Sequence, residues 1–422
     1  MRRLIICLDG TWNSAEQGKE PVGGPATPPL RMIYLPTNVL KIYRAVLPEA
    51  EDGTSQIAYY SEGVGSFVGD RSALGKLQVV ADKVVGGAVG GGIESRIKAA
   101  YRFLVANHHL GDHIFVFGFS RGAAEAQALV RFIDWVGGLV GKQDEYWIPE
   151  LFDGFRDTEA ARGEVQKVIA EIKKRTNGHI DDPRAIGIEF LGVFDTVLSL
   201  GYRFLADRRE QDVPTVGPKF AFYVGKTPPP IVKTVRQALA IDERRWDFRP
   251  QIWKSPALPR QDPAPADVPN QSLEQVWFPG VHSNVGGGYG NDGFANGALD
   301  WMVKQANKAG LEMDAGFLKH FRLDIAGKQV DSDQGFMHYY EVLRGKSGRG
   351  VRRLDAGAAA EVGLHESVGI RLLADSAYRP ANLLSYLAED TARVGKLPAA
   401  QQTSVLDIVK TFKANPPRNP PR

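Results

Sequence analysis

Ile114-Phe115-Val116-Phe117-Gly118-Phe119-Ser120-Arg121-Gly122-Ala123-Ala124 decides how the rest of the chain is read. Ile114–Phe117 is a short continuous apolar run, the pattern of a strand covered on both faces. Gly118-Phe119-Ser120-Arg121-Gly122 follows at once. A helical stripe of Ala124, Ala128, Phe132 and Val136 comes next, closed by Gly137-Gly138. With 46 glycines, the chain can match G-x-S-x-G by accident. The flanking strand and helix lift the match to a nucleophile elbow. An elbow must turn so tightly that the serine stands proud of the sheet, and the two glycines remove side chains that would collide there. The next N–H, that of Arg121, then points from a helix start to where an oxyanion forms.

Other apolar runs extend this one into an α/β sheet. Leu4–Leu8, Gln56–Tyr60, Ile186–Phe194 and Glu274–Val281 read as strands. Thr37–Val46, Ile93–Ala106, Glu159–Thr176, Ala298–Ala309 and Phe317–Ile325 read as helices, as does Val232–Arg245. The expected fold is α/β-hydrolase-like: a mostly parallel sheet with helices on both faces. Its core spans 1–200 and 271–290. A Pro- and aromatic-rich insertion over 201–270 has the length of a lid. A helical C-terminal region, 291–415, packs on the core, and 416–422 is a disordered tail. The glycines of 86–92 fit no phosphate-binding pattern and read as a loop or close-packing site.

Strand ends supply the chemistry. Asp195 closes one strand, where it can orient a histidine or simply cap a turn. His282 follows a later strand and opens a glycine-rich loop. Ser120, Asp195, His282 is the chain order of α/β-hydrolases. His365 also follows Asp195, but it begins a helical segment and reads as a local cap, leaving it the alternative base. Asp9-Gly10-Thr11-Trp12-Asn13 ends the first strand. Gly10 and Thr11 there fit a second oxyanion donor or an ordinary turn. Asp9, Trp12 and Phe119, beside these strand ends, are read as substrate contacts. The cluster Asp242-Glu243-Arg244-Arg245 reads as an internally paired or solvated network.

Composition bounds the alternatives. A net charge of +3 without a basic stripe argues against nucleic acid as a partner. No metal motif appears, and neither metal nor cofactor is expected. The lone Cys7 sits in a strand pattern as an inert core residue. The N-terminus carries no secretory signal, and Val79–Ile93 is too short and too charged to span a membrane. The expected location is therefore the cytoplasm as synthesised, any export being independent of a signal peptide.

Five ordered blocks carry a resemblance. They are Leu8–Asn13, Gly118–Ala123, Val193–Val197, Ala238–Arg245 and Trp277–Tyr289. Together they resemble the uncharacterised α/β-hydrolase domain of the first family of type VI secretion lipase effectors. Leu364–Val368 and Tyr378–Leu383 are similar to that family's C-terminal block. The resemblance implies a serine hydrolase with phospholipase A activity in secreted members, Ser120 as nucleophile, Asp195 as acid and His282 as base. It also implies a lipid or other ester substrate, a membrane surface and, for a secreted effector, a cognate immunity protein as partners. Asn284, Gln237 and Gln127 depart from the family pattern, which has Asp, His and Arg there. A soluble-ester esterase or thioesterase and a non-catalytic hydrolase-fold binding protein are the alternative readings.

Overall fold

The computed structural model describes residues 1–10, 20–22, 31–33, 36–63, 88–158, 164–176, 180–197, 225, 227–245, 248–254, 271–289, 292–325, 351–354 and 362–415. Thr11, Trp12, most of the 201–270 insertion and the 416–422 tail lie outside them.

Seven parallel strands form the central sheet: β1 (Arg3–Leu8), β2 (Gln56–Ser61), β3 (His113–Phe119), β4 (Ile188–Phe194), β5 (Val232–Ala240), β6 (Ser272–Phe278) and β7 (Val362–Leu364). Their spatial order is β2-β1-β3-β4-β5-β6-β7. The chain passes from β1 outward to β2, then returns to the other side of β1 as β3. A doubly wound sheet opens a crevice at such a reversal, beyond the carboxyl ends of its strands. Ser120 leaves β3 there, level with Gly10 just past the end of β1, since Leu8 pairs Gly118.

Side-chain alternation divides the packing. Leu4, Ile6 and Leu8 of β1 and Ile114 and Val116 of β3 face one core with helices α2 (Ala88–Asn107), α3 (Arg121–Val136), α4 (Ile148–Thr158) and α5 (Glu164–Thr176). Ile5, Cys7, Phe115 and Phe117 face a second core with α1 (Asn38–Ala45) and α7 (Gly293–Lys308). Between β6 and α7 lies the five-residue helix α6 (His282–Gly286). The glycines at 90–92 are part of α2 rather than a loop. Lys41 of α1 is fully buried against Asp292 (2.7 Å) and Asn296 (2.8 Å), which pins α1 to the start of α7.

Two expectations change. Val232–Ala240 is a strand, not a helix, so the 201–270 stretch contributes an inner strand of the sheet. Its apolar residues Val232, Val235 and Leu239 mimic a helical stripe only because polar positions between them are satisfied inside the sheet. Gln237, for instance, donates to Gln251 O (2.6 Å) and Gln275 Oε1 (3.2 Å). Second, of the segment expected as a helix over 317–325, only 317 and 318 are helical, as the end of the single turn α8 (Ala315–Leu318). The C-terminal region is helical, as expected. It adds β7 beside β6 before helices α9 (Glu366–Ala374), α10 (Ala381–Glu389) and α11 (Ala399–Ala414).

Candidate active site

The elbow owes its shape to close backbone approach. A Cβ on Gly122 would lie 2.2 Å from Leu8 O and 2.5 Å from Asp9 O, and one on Gly118 would lie 2.5 Å from Gly122 O. Only glycine fits, so β1, β3 and α3 converge on one turn. Ser120 absorbs the geometry with φ 58° and ψ −122°. Asp195 has φ 40°, and these are the two non-glycine residues with positive φ among those described. Such backbone persists where its surroundings over-determine it. Here Ser120 N donates to Phe194 O (3.0 Å) and Asp195 N to Ala238 O (2.7 Å).

His282 reaches the same place from β6. Gly280, at φ 107°, turns the chain, and Asn284 Oδ1 accepts from Val281 N (3.1 Å) to start α6. Asn284 supplies the acceptor that an Asp would, so this departure leaves the turn intact. The ring of His282 packs against Phe119, centroid to centroid 4.7 Å, and its other flank meets the edge of Phe248 at 4.9 Å. His282 Nδ1 lies 2.6 Å from Asp195 Oδ2. The Arg352 guanidinium and the His282 ring outweigh burial and hold the Asp195 carboxyl far below the usual range, although burial is the largest single influence. Asp195 is therefore ionised and accepts only, so Nδ1 carries the proton and Nε2 keeps its lone pair. Burial, set against the attraction of Asp195, moves His282 below the ordinary histidine value. The imidazole is thus neutral near pH 7 and able to take a proton.

The acidic-basic cluster after β5 builds the seat for this histidine. Glu243 Oε2 accepts the His282 backbone N–H (3.1 Å), while Arg245 grips both Glu243 oxygens at 2.9 Å. Arg245 lowers the Glu243 carboxyl to about 2 against the opposing effect of burial. The Arg245 guanidinium lies 3.5 Å over the Phe248 ring, the ring that edges onto His282. Asp242 accepts from Gly280 N (2.6 Å) and Tyr378 OH (2.9 Å).

Other expected site residues fall elsewhere. Asp9 is wholly buried, with Oδ2 accepting from Thr37 Oγ1 (2.6 Å) and Tyr60 OH (2.7 Å). It acts as an internal strut between β1, β2 and the start of α1. The N–H of Gly10 donates to Asp9 Oδ1 (2.7 Å). Thr11 and Trp12 lie outside the described residues. Phe119 is buried against the His282 ring. His365 caps α9, its Nδ1 accepting from Ser367 N (3.3 Å), and stacks on Phe278 at 4.4 Å. It follows strand β7, and Asp195 is bonded to His282 instead.

Sequence reasoning missed Arg352. Its Nη1 lies 2.6 Å from Asp195 Oδ1 and its Nη2 lies 2.9 Å from Oδ2. The two unusual glutamines also meet at the site's edge. Gln127 donates to Thr196 Oγ1 (2.9 Å), and Thr196 donates to Gln237 Oε1 (3.1 Å). They form one chain beside Asp195, a pairing that no spacing in the sequence advertises.

Among the described residues no group of His, Cys, Asp and Glu could hold a metal, and no helix is long and apolar enough to cross a membrane.

Comparison with known proteins bears on the family. The chain is 29% identical over 259 residues to the uncharacterised protein YEL023C of Saccharomyces cerevisiae, covering 59% of this chain and 32% of that one. This chain thus spans about a third of that relative's length. Two solved structures resemble it distantly, each at 16% identity. One is an uncharacterised protein from Pseudomonas aeruginosa (TM-score 0.40; 99% of this chain, 60% of that one). The other is the Tle1 effector bound to the VgrG spike of the type 6 secretion system (TM-score 0.37; 82% and 79%). The family model described as T6SS, Phospholipase effector Tle1-like, catalytic domain matches residues 2–305. That span takes in the elbow, Asp195 and His282, and the chain belongs to the family of Tle1-like phospholipase effector catalytic domains.

Proposed function

We propose that the protein is a serine hydrolase that cleaves acyl esters of lipids, phospholipids foremost, through an acyl-enzyme. The observation that carries this reading is the buried Asp195–His282 pair, 2.6 Å apart, beside a strained elbow serine at the carboxyl edge of one sheet. Family membership supports a lipid ester as the substrate class.

In this reading His282 Nε2 takes the proton of Ser120 Oγ as the oxygen attacks the ester carbonyl. The Arg121 N–H, at the start of α3, stabilises the tetrahedral oxyanion. His282 then protonates the leaving alcohol, and water, deprotonated by the same imidazole, hydrolyses the acyl-serine. Asp195 orients the ring and stabilises the imidazolium without itself taking the proton.

The test is a fluorophosphonate probe and fatty-acid release from phospholipid vesicles, with Ser120→Ala as control. Labelling should vanish in the variant, and turnover should fall on the order of ten-thousandfold or more. Labelling that survives in Ser120→Ala would sink the proposal. Turnover of short soluble esters with none of vesicles would move it to an esterase. Since burial lowers His282, the acid limb of kcat/KM should lie below the ordinary histidine value of about 6.5. A limb above that value contradicts the environment described for the ring.

A further inference from the structure

Asp195 makes more contacts than orienting one histidine requires. Oδ1 accepts from Ala240 N (3.0 Å) and Arg352 Nη1 (2.6 Å), while Oδ2 accepts from His282 Nδ1 (2.6 Å) and Arg352 Nη2 (2.9 Å). The Arg352 fork thus takes one lone-pair direction on each oxygen and leaves one direction on Oδ2 for the imidazole. A bidentate guanidinium fixes a carboxylate in plane as well as in charge. Arg352 is itself held: it is 6% exposed, Nη1 also donates to Ala240 O (2.7 Å), Nη2 to Phe248 O, and its carbonyl accepts from Asn382 Nδ2 (3.1 Å). Its neighbour Leu354 is buried in the C-terminal core.

We propose that Arg352 is a positioning residue for His282: by gripping both oxygens of Asp195 it fixes the carboxylate's orientation and shares its charge. The inference rests on Ser120, His282 and Asp195 acting as the triad, and it reaches to a residue beyond the span that matches the family.

Charge balance gives the proposal a consequence. The charged groups acting on His282 are Asp195 from the end of β4 and Glu243 and Arg245 from the turn after β5, and Arg352 from the C-terminal region acts on both carboxylates. Two carboxylates are matched there by two guanidiniums. An imidazolium formed at His282 therefore meets an Asp195 whose charge is already shared, and the base stays neutral to lower pH. Removing the Arg352 cation leaves a net negative surround that favours the imidazolium, so the direction of the effect is upward.

The experiment uses the full chain as wild type, Arg352→Met and Arg352→Lys. Fluorophosphonate labelling rates are measured against pH, and His282 is titrated by NMR of [13Cε1]histidine, assigned with His282→Gln. Arg352→Met should move the acid limb and the NMR midpoint up together by about one pH unit. Arg352→Lys keeps the charge but not the fork. Its limb should stay in place while the plateau rate falls roughly ten- to hundredfold through misplacement of the ring. An Arg352→Lys enzyme that folds and labels at the wild-type plateau would overturn the positioning role. So would an unmoved limb and midpoint in a folded Arg352→Met. Should Arg352→Met not fold, Arg352→Lys decides alone. Should the wild type resist the probe altogether, the hydrolase reading fails. The NMR midpoint in Arg352→Met still judges the coupling by itself.

Discussion

Two histidines show how surroundings set a residue's task. His282 donates a hydrogen bond from Nδ1 to a carboxylate and keeps its lone pair on Nε2, whereas His365 turns Nδ1 toward the backbone N–H of Ser367. Burial, with Lys304 adding to it and Asp300 opposing it, pushes His365 down to about 4. The sign follows directly. The unfolded chain binds a proton near pH 6.5 that the folded chain refuses until about 4, so folding stability falls as pH drops through that window. His365→Asn keeps a good helix cap and removes the titration. Below pH 5 the variant should gain on the order of 2 kcal/mol relative to its difference from wild type at pH 7. Parallel urea-unfolding profiles for the two proteins between pH 4 and 7 would contradict this. The order Ser120, Asp195, His282 was readable because each residue ends an apolar run. Arg352 was not, because it meets Asp195 across 157 positions from a stretch with no periodicity of its own.

The elbow is where local sequence and local structure agree most closely. Its glycines are forced by backbone atoms, which cannot step aside as a side chain can. Gly122→Ala sets a methyl against Leu8 O and Asp9 O, at the crossing of β1 and α3. We expect it to cost about 1–3 kcal/mol or more and to abolish probe labelling, since Ser120 must shift with the turn. Gly187→Ala is the control: nothing lies within 4 Å of its added Cβ, and stability should change by less than about 0.5 kcal/mol. Equal effects of the two substitutions in thermal unfolding would show that the elbow is not sterically fixed. Strand β5 shows the opposite case. The stretch Val232–Arg245 read as a helix, yet Thr234, Gln237 and Ala238 sit in register between β4 and β6. A pattern of apolar residues reports which side chains are buried. It does not report that a glutamine has been buried with them, and the side chain of Gln275, which satisfies Gln237, comes from another strand.

The family match ends at residue 305, but the folding unit does not. β7 extends the sheet beyond β6, and Leu239, Ile241 and Trp277 of the sheet edge are buried with Val368, Leu372, Leu383, Leu387, Val405 and Val409 of the C-terminal helices. The same region sends Arg352 to Asp195 and Tyr378 to Asp242, so it braces the residue that faces the candidate base and the turn that precedes it. A region that shares a core with the sheet should unfold with it rather than before it. Leu387, fully buried at this seam, offers the test. Leu387→Ala should destabilise the protein by about 2–5 kcal/mol, and calorimetry should still record a single transition at a lower Tm. Probe labelling of Ser120 should disappear in step with that transition, because Arg352 leaves Asp195 when its segment melts. An early, separate transition that leaves Ser120 reactive would mean that the C-terminal region is an appendage, and that the candidate site stands without it.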